Sequence, residues 1–497
     1  MLWLITALSS ANAAGLDLLE VGGPFGSPGA TDATAVWWNP AGLAAGYGTR
    51  FSFELAPTIA TVNIQRDNPG YAYDPAGFGP AEVDYGGRAT YRRVAPVPYI
   101  GVASDFGVDG LGVGIGLAVP HARGAAVDTI TPNDPTDHPA VTRHHLIEGG
   151  NQALYLQVAG AYEIADIVSI GVVGAFVDSS YNSHLFSEAA SALNDGLQES
   201  LGDGTYYSDT IAENRRYASE VQTDSALKDS ALTFGAGIHV KAHEKVSIAA
   251  AYRHGFRVDH NGTATLDFDC PPTADVDGRL GSEINNICDT TMAADMSVGY
   301  RLPGRIHGGI VLRPVDVIRL EAMGGYVFWN VFTDYEIDIR VRPDSVDAAS
   351  PEDRQATAAQ VSQSKTWARD QQNSFWVGLD GKFDVHEYVM LGGRVLYDKA
   401  AVPTNVLGPN NYDANTVSLS GLVVVHALPQ LDIGVSATQY IAQSRTVTDS
   451  AFGMTINGDR KPVRYFYPAM NGTFTSSITR IGLTVRGQFG KNPADAG

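Results

Sequence analysis

Histidine and serine are the residue types that would carry hydrolytic chemistry in this chain, and their spacing assembles no complete site. A hydrolase needs a nucleophile beside a base that a third group orients. The sequence contains no G-x-S-x-G segment, and His121, His144 and His145 fall in a predicted loop without a defined partner. Three further histidines are isolated on predicted strands, namely His239, His254 and His426. No catalytic residue is therefore expected, and a lipid-modifying enzyme remains only an alternative.

The elements that must position any site are strands. Side chains alternate between the two faces of a strand, and the segment 480–489 has one apolar and one polar face. Its apolar face consists of Ile481, Leu483, Val485 and Phe489. Its polar face consists of Arg480, Thr484, Arg486 and Gln488. Such segments recur from residue 50 to residue 489 with almost no helical stretch to cover them, which favours a membrane barrel with an apolar exterior and a polar interior.

Short turns alternate with long polar stretches along the chain. The predicted turns are 105–110, 163–166, 242–245, 313–316, 384–387 and 428–430. The long stretches are roughly 64–95, 121–149, 179–228, 260–292, 331–370, 399–414 and 443–474. Outer-membrane barrels have short periplasmic turns and long extracellular loops. The predicted fold is all-β, a 14-stranded antiparallel transmembrane β-barrel in a Gram-negative outer membrane, if 293–313 is one strand bent at Pro303.

The same alternation assigns residues to the two sides of the wall. The residues predicted to face lipid include Leu232, Phe234, Ile248, Leu320 and Leu379. The charged candidates for the lumen are Arg253, Arg319, Glu321 and Arg394. Charges of both signs on one wall most simply form ion pairs with one another. The functional alternative is that one or two arginines attract an anionic head group.

Composition excludes several classes of protein. The net charge of −20 over 497 residues argues against a nucleic-acid partner, because such binding needs a basic surface. After the N-terminus no apolar run reaches the roughly 20 residues of a membrane helix. The acidic residues concentrate in the long loops, where they are solvated or bridge surface lipid through divalent ions. Outer-membrane lipid is an expected partner, and the chain is expected to act as a monomer.

The N-terminus has the features of an export signal. Residues 2–8 are apolar and Ala11-Asn12-Ala13 fits a cleavage site, so 1–13 is predicted to be a signal peptide. The two cysteines, Cys270 and Cys288, share one predicted loop and in an exported chain most simply form a disulfide. A metal site would need more ligands than this loop offers, and neither a metal nor a cofactor is expected.

The third predicted strand has a face without side chains. Gly110, Gly112, Gly114 and Gly116 alternate with apolar residues, and Pro120 follows them. A bare strand face allows something to approach the backbone closely. It either opens a lateral exit or seats a plug. In the loop 179–228, Leu185, Leu193 and Leu197 recur at helical spacing and predict an amphipathic helix that captures ligand.

Residues 14–49 do not alternate and are rich in small residues, so they are predicted to form a hatch that fills the lumen. The hatch candidates are Trp37, Trp38, Asn39, Pro40, Ala41 and Gly42. The run Asn39-Pro40-Ala41-Gly42 resembles the hatch motif of the FadL family of outer-membrane channels. Further similar segments run from Leu302-Pro303 to Trp329, from Phe375 to Pro403, and from Gly472 to Phe489. The resemblance covers nearly the whole chain.

The resemblance implies a plugged barrel (50–489) with a short periplasmic tail (490–497) that passes hydrophobic small molecules. Members pass long-chain fatty acids or small aromatics, which leave sideways where the third strand kinks. The expected function is passive uptake of such compounds. The alternatives are the lipid-modifying enzyme and a general polar porin, which the hatch opposes because a hydrophilic pore needs no plug.

Overall fold

The computed structural model describes residues 19, 21–67, 86–132, 141–142, 146–188, 220–269, 290–409, 411–451 and 470–490. Several sequence predictions fall outside these ranges. They are the signal peptide, the disulfide between Cys270 and Cys288, the loop residues Leu193 and Leu197, and the tail beyond residue 490.

Antiparallel strands dominate the described residues. They are β1 (Thr49–Arg66), β2 (Gly87–Ser104), β3 (Leu111–Pro132), β4 (Glu148–Ile164), β5 (Val168–Glu188), β6 (Glu220–His243), β7 (Val246–Arg253), β8 (Phe256–Asp269), β9 (Thr290–Leu302), β10 (Arg305–Leu312), β11 (Ile318–Val327), β12 (Asp334–Val341), β13 (Gln363–Ala368), β14 (Ser374–His386), β15 (Val389–Asp398), β16 (Thr416–Leu428), β17 (Leu431–Ala442), β18 (Arg445–Val447) and β19 (Gly472–Phe489).

These segments form one closed barrel of fourteen strands. The last strand, β19, pairs with β1 from Thr49–Phe489 to Arg66–Gly472 and closes the ring. Five barrel strands consist of two segments each, namely β7 with β8, β9 with β10, β11 with β12, β13 with β14, and β17 with β18. The predicted count, including the strand bent at Pro303, is confirmed.

Four neighbouring strands break at one level of the wall. Besides Pro303-Gly304, the breaks lie at residues 254–255, 328–333 and 369–373. Proline removes a ladder amide and glycine weakens a strand interior. Pro303-Gly304 and Gly255 therefore account for the breaks at 303–304 and 254–255. The shared break divides the wall into a lower part (β7, β10, β11 and β14) and an upper part (β8, β9, β12 and β13).

The predicted outward faces are confirmed on β6 and β14. Leu232, Leu379 and Phe234 are 77%, 66% and 56% exposed, as residues against lipid are in an isolated chain. Their strand neighbours Thr233 and Asp380 are buried toward the lumen. All six predicted turns lie between consecutive strands, within three residues of their predicted bounds.

Several predicted loops are shorter than expected because the strands continue into them. β5 extends to Glu188 and β6 begins at Glu220, so much of 179–228 is strand; Leu185 lies in β5 rather than in a helix. The stretch 331–370 holds the β12–β13 hairpin and helix α2 (Pro351–Val361), which begins at the N-cap Ser350. No helix among the described residues has both the length and the apolarity to cross a bilayer.

The residues before β1 pack against the inward wall. We call residues 21–48 the N-terminal segment. It contains helix α1 (Ala35–Trp38) between two 3₁₀ turns, Gly23–Phe25 and Pro40–Leu43. All three elements are buried, and the segment contacts both β3–β6 and β15–β16.

Candidate functional site

Arginines of the barrel wall bind the backbone of the N-terminal segment. A guanidinium donates several hydrogen bonds in a fixed geometry, so one side chain can hold two carbonyls. The bonds run from Arg394 to Gly23 O (3.1 Å) and Pro24 O (2.9 Å), from Arg50 to Leu43 O (2.9 Å), and from Arg253 to Trp37 O (2.9 Å). These contacts fix the segment across the lumen.

Glu321 on β11 binds the same segment through both carboxylate oxygens. Oε2 accepts from Ser27 Oγ at 2.7 Å and Oε1 accepts from the Gly29 amide at 2.9 Å. Arg319 lies 2.7 Å from Glu321 and 3.6 Å from Asp380, and Asp380 also pairs with Arg394. The prediction of mutually satisfied lumenal ion pairs is therefore confirmed for Arg319, Glu321 and Arg394.

Asn39 joins the turn of the N-terminal segment to the wall. Its Oδ1 accepts from the Ala41 amide at 3.2 Å, and its Nδ2 donates to Ile238 O of β6 at 3.0 Å. Pro40 occupies the first position of the 3₁₀ turn, where a missing amide costs nothing. The side chain of Asn39 is fully buried, so neither bond has water to replace it.

The bare face of β3 lies against the N-terminal segment. A Cβ would lie 2.4 Å from Leu43 C at Gly112, and 2.6 Å from Val36 Cγ2 at Gly114. At Gly116 it would lie 3.0 Å from Val36 Cγ1. From Val113 to Ala118, β3 is paired with both neighbouring strands. Gly110 lies in the preceding turn with a φ of +73° rather than in the strand.

Other strands share this glycine seat. A Cβ at Gly171 of β5 would lie 2.4 Å from the Ala41 nitrogen, and one at Gly237 of β6 would lie 2.0 Å from Asn39 Oδ1. Real Cβ atoms essentially never approach this closely. Glycine is thus required on several strands for the segment to reach the wall.

Above the glycines, β2 and β3 separate. Their register passes from Tyr99–Ala118 to Tyr91–Val127, and no residue between these pairs is matched, although the backbone of both stretches is described. The unmatched part of β2 contains Pro96 and Pro98, and prolines have no amide to donate. On the other side β3 shifts register against β4 between Ala118 and His121, around Pro120. We call this unpaired stretch the wall opening.

A buried ring with two cations lies near the wall opening. Trp37 of the N-terminal segment is flanked by Arg253 at 4.5 Å and Arg305 at 4.3 Å, measured from each guanidinium carbon to the ring centroid. Tyr155 meets Trp37 edge-on at 5.5 Å, and Tyr155 pairs with Ala118 at the edge of the opening. We call Trp37, Arg253, Arg305 and Tyr155 the arginine–tryptophan site.

Both arginines of this site keep an unused donor. Arg253 Nη1 and Arg305 Nη2 have no hydrogen-bond partner among the described residues. Both side chains are buried, and among the described residues no carboxylate forms an ion pair with either of them. A buried charge is costly unless it is paired. The site is thus suited to receive an anion.

The lumen above this site is apolar and aromatic. Tyr300 stacks on Phe332 at 5.0 Å and on His260 at 5.5 Å, and meets Tyr335 edge-on at 4.9 Å. Inward-facing apolar side chains of this region include Val62, Ile64, Leu227, Val258, Met292 and Val298. Such a surface solvates hydrocarbon better than it solvates ions.

The structure thus sorts the sequence candidates. The hatch residues and Gly112, Gly114 and Gly116 come together, as do Arg319, Glu321 and Arg394, while His239 and His426 lie on separate strands. The sequence analysis did not identify Arg305, Pro96 or Pro98 as site residues. The two prolines in one strand were a readable signal. Arg305 stands two residues after Pro303, where the strand break obscures which way it faces.

The chain belongs to a family of outer-membrane transport proteins. The family model described as "Outer membrane protein transport protein (OMPP1/FadL/TodX)" matches residues 7–489. The match therefore confirms the outer-membrane transport barrel that the resemblance implied, over nearly the whole sequence. No curated protein matches the chain.

Solved structures share the fold at low sequence identity. The Pseudomonas aeruginosa FadL homologue is 16% identical with a TM-score of 0.68, over 97% of this chain and 100% of that one. The Pseudomonas putida toluene transporter TodX is 13% identical with a TM-score of 0.59, over 93% and 95%. The Ralstonia pickettii toluene transporter TbuX is 14% identical with a TM-score of 0.57, over 92% and 94%. At these identities the likeness shows the fold alone.

Proposed function

We propose that this protein is a passive, monomeric channel for hydrophobic small molecules and performs no chemistry on them. Ligand enters the apolar upper lumen, passes the arginine–tryptophan site and leaves sideways through the wall opening. The N-terminal segment acts as the hatch that closes the route to the periplasm. The observation that carries the proposal is the unpaired stretch between β2 and β3 directly above the hatch.

Physical chemistry favours the sideways route. A hydrophobic ligand that left through a water-filled periplasmic end would be rehydrated at about 0.8 kcal/mol per CH₂. The bilayer outside the wall imposes no such cost. The arginines, Glu321 and the glycine seat all support the segment below the opening, so the lower route is occupied by protein.

The prolines of β2 provide a test of the exit. Replacing Pro96 and Pro98 with Val restores two amides, each worth about 1 kcal/mol when paired. If they pair with β3, the opening becomes about 2 kcal/mol harder to form, and uptake of radiolabelled oleate falls roughly 30-fold. Pro57→Val is the matched control, because Pro57 stands opposite Pro96 on β1. Parental uptake in the double variant would exclude this exit.

The arginine–tryptophan site favours a carboxylate ligand over a neutral hydrocarbon. Two unused guanidinium donors would bind the two oxygens of one carboxylate, while the apolar lumen holds its chain. The proposed substrates are therefore long-chain fatty acids. Small aromatic hydrocarbons, which two of the similar transporters are named for, offer these donors nothing.

A pair of ligands with the same chain tests this preference. Arg305→Met removes one donor, and a hydrogen bond to a charged group is worth about 1.5–3 kcal/mol, so the affinity for oleate falls roughly tenfold to hundredfold. Uptake of oleyl alcohol stays at the parental rate, and Arg305→Lys, which keeps the charge, loses less. An equal loss for both ligands would indicate a structural role for Arg305.

A further inference from the structure

The upper wall carries a polar groove on its outward face, beyond the channel proposed above. The groove has a volume of about 510 Å³ and spans the four strands β8, β9, β12 and β13. Its polar lining consists of Arg257, Asp259, Ser297, Glu336, Asp338, Ser364 and Thr366. We call this surface the outer groove. It lies on the side of the wall away from the lumen, since the inward neighbours Val258 and Val298 are buried.

Strand register explains how one surface forms from four segments. Asp259 pairs with Gly299, Gly299 with Glu336, and Glu336 with Thr366, which makes one row across the sheet. Gly299 leaves room in this row, because a Cβ there would lie 2.5 Å from Arg257 Nη2. The guanidinium of Arg257 therefore occupies the space that a side chain at position 299 would need.

Arg257 is paired with two carboxylates. Its Nε donates to Asp259 Oδ1 at 2.8 Å, and its Nη1 and Nη2 donate to Glu336 at 3.1 and 2.7 Å. Asp338 accepts from Ser364 Oγ at 2.6 Å and pairs with Arg340. The carboxylate oxygens keep free lone pairs, and the hydroxyls both donate and accept. Such a surface suits a ligand made of hydroxyl groups, and three carboxylates would repel a phosphate.

The groove continues from the lipid-facing surface. Directly below the shared break, the outward residues Ile306, Val377 and Phe375 are exposed and apolar. Aromatic contacts mark the boundary, with Tyr326 against Phe328 at 5.4 Å and Phe375 against Tyr397 at 6.1 Å. Aromatic side chains collect at membrane–water interfaces. The outer groove therefore lies at the depth of the outer-leaflet head groups.

We propose that the outer groove binds the sugar head group of an outer-leaflet glycolipid, whose acyl chains lie on the apolar surface below. The sugar hydroxyls donate to Asp259, Glu336 and Asp338 and to the free lone pairs of Ser364 Oγ, whose own hydrogen is held by Asp338, and they accept from Thr366. The lipid thereby holds the upper wall at the membrane boundary. Only the combination of a hydroxyl-rich head with acyl chains matches both parts of this surface.

Native mass spectrometry of the purified protein tests the assignment. The protein is titrated with glucosyl diacylglycerol, phosphatidylglycerol and phosphatidylethanolamine of equal chain length. We expect the glucosyl lipid to bind about tenfold more tightly than either phospholipid. The double variant Glu336→Gln/Asp338→Asn loses that preference, and its fold persists because exposed ion pairs contribute little to stability.

A matched pair of carboxylates provides the control. Asp344→Asn/Asp347→Asn removes the same charge from the neighbouring extracellular turn, outside the groove lining, and keeps the preference. Oleate uptake stays at the parental rate in both double variants. A failure of the groove proposal can therefore be distinguished from a failure of the channel proposal. Equal binding of the three lipids by the parental protein, or an equal loss in the control, would overturn the proposal; preference for phosphatidylethanolamine would assign the groove to an amine instead.

Discussion

At the scale of single residues, Asn39 holds the turn of the N-terminal segment with both ends of its amide. Asn39→Ala leaves Ile238 O and the Ala41 amide without these partners in a buried place, at a cost of about 1–3 kcal/mol. We expect a looser hatch, a higher leak conductance and lower oleate uptake, while the barrel still inserts.

Planar-bilayer recording with an uptake assay checks this expectation. Asn373→Ala is the control, because Asn373 bonds the Asn330 amide in an exposed place away from the N-terminal segment. Leak and uptake at parental levels in Asn39→Ala would remove this residue from the hatch.

Asp105 fixes the other end of the segment and makes it sensitive to acid. It lies in the periplasmic turn, where its carboxylate accepts from the Gly48 and Gly107 amides. Partial burial opposes ionisation, but these hydrogen bonds outweigh it and lower the pKa of Asp105 below its ordinary 3.8. A lowered pKa contributes stability above the ordinary value, and that stability is lost as the pH falls through the lowered one.

Leak conductance against pH measures this contact. The parental protein is expected to remain closed at neutral pH and to leak more once the pH falls below about 4. Asp105→Asn leaks at every pH and loses that part of the pH response. A pH profile identical to the parental one in Asp105→Asn would contradict the assignment.

The sequence could assign a residue to one side of the wall where it lies in a regular strand, but it could not identify the residue's contact partners. Alternation placed Arg319, Glu321 and Arg394 in the lumen correctly, because each lies in a regular strand. It could not say that their partners are carbonyls and amides of residues 23–29, about 300 positions away. The bare face of β3 could be either a lateral exit or a seat for a plug. The contact with Val36 and Leu43 favours the seat.

At the scale of elements, the glycine face of β3 is the clearest target. Gly114→Phe places a ring where Val36 Cγ2 already lies 2.6 Å from the Cβ position, so the N-terminal segment is displaced. We expect raised leak conductance with normal surface expression. Gly160→Phe is the matched control on β4, where a Cβ meets nothing within 4 Å. Lost uptake without leak would instead return β3 to the exit pathway.

The strand ends show why the loops were overestimated. Alternation of apolar and polar residues is produced by lipid on one side and the lumen on the other. Above the membrane both faces meet water or polar loops, so β5 and β6 continue through polar sequence without the pattern. Helix α2 had a readable signal in Ser350-Pro351, with Asp353 three residues after the cap. The breaks at 328–333 and 369–373 contain no proline or glycine, so the sequence carried no signal for them.

At the scale of the whole molecule, two independent parts share the work of the channel. The barrel closes through β1 and β19 without help from the N-terminal segment, while the segment depends on wall arginines and glycines for its position. Fourteen strands could be counted from sequence because each carries its own local pattern. The glycine seat could not be predicted from sequence, because its glycines lie on β3, β5 and β6 and come together only when the ring closes.

This division predicts the behaviour of a barrel without its N-terminal segment. Deletion of residues 21–46 removes all but two residues of the segment and leaves every strand, so the barrel is expected to insert and to give a steady, large conductance. The pore should prefer anions, because Arg50 and Arg253, which now bind backbone carbonyls of the segment, would face water as free cations. Reversal potentials in a KCl gradient measure that preference. Adding Arg50→Gln and Arg253→Gln to the deletion should reduce it without closing the pore. A deletion that stays closed would show that other parts of the chain block the lumen, and a cation-selective pore would show that the lumenal carboxylates dominate its field.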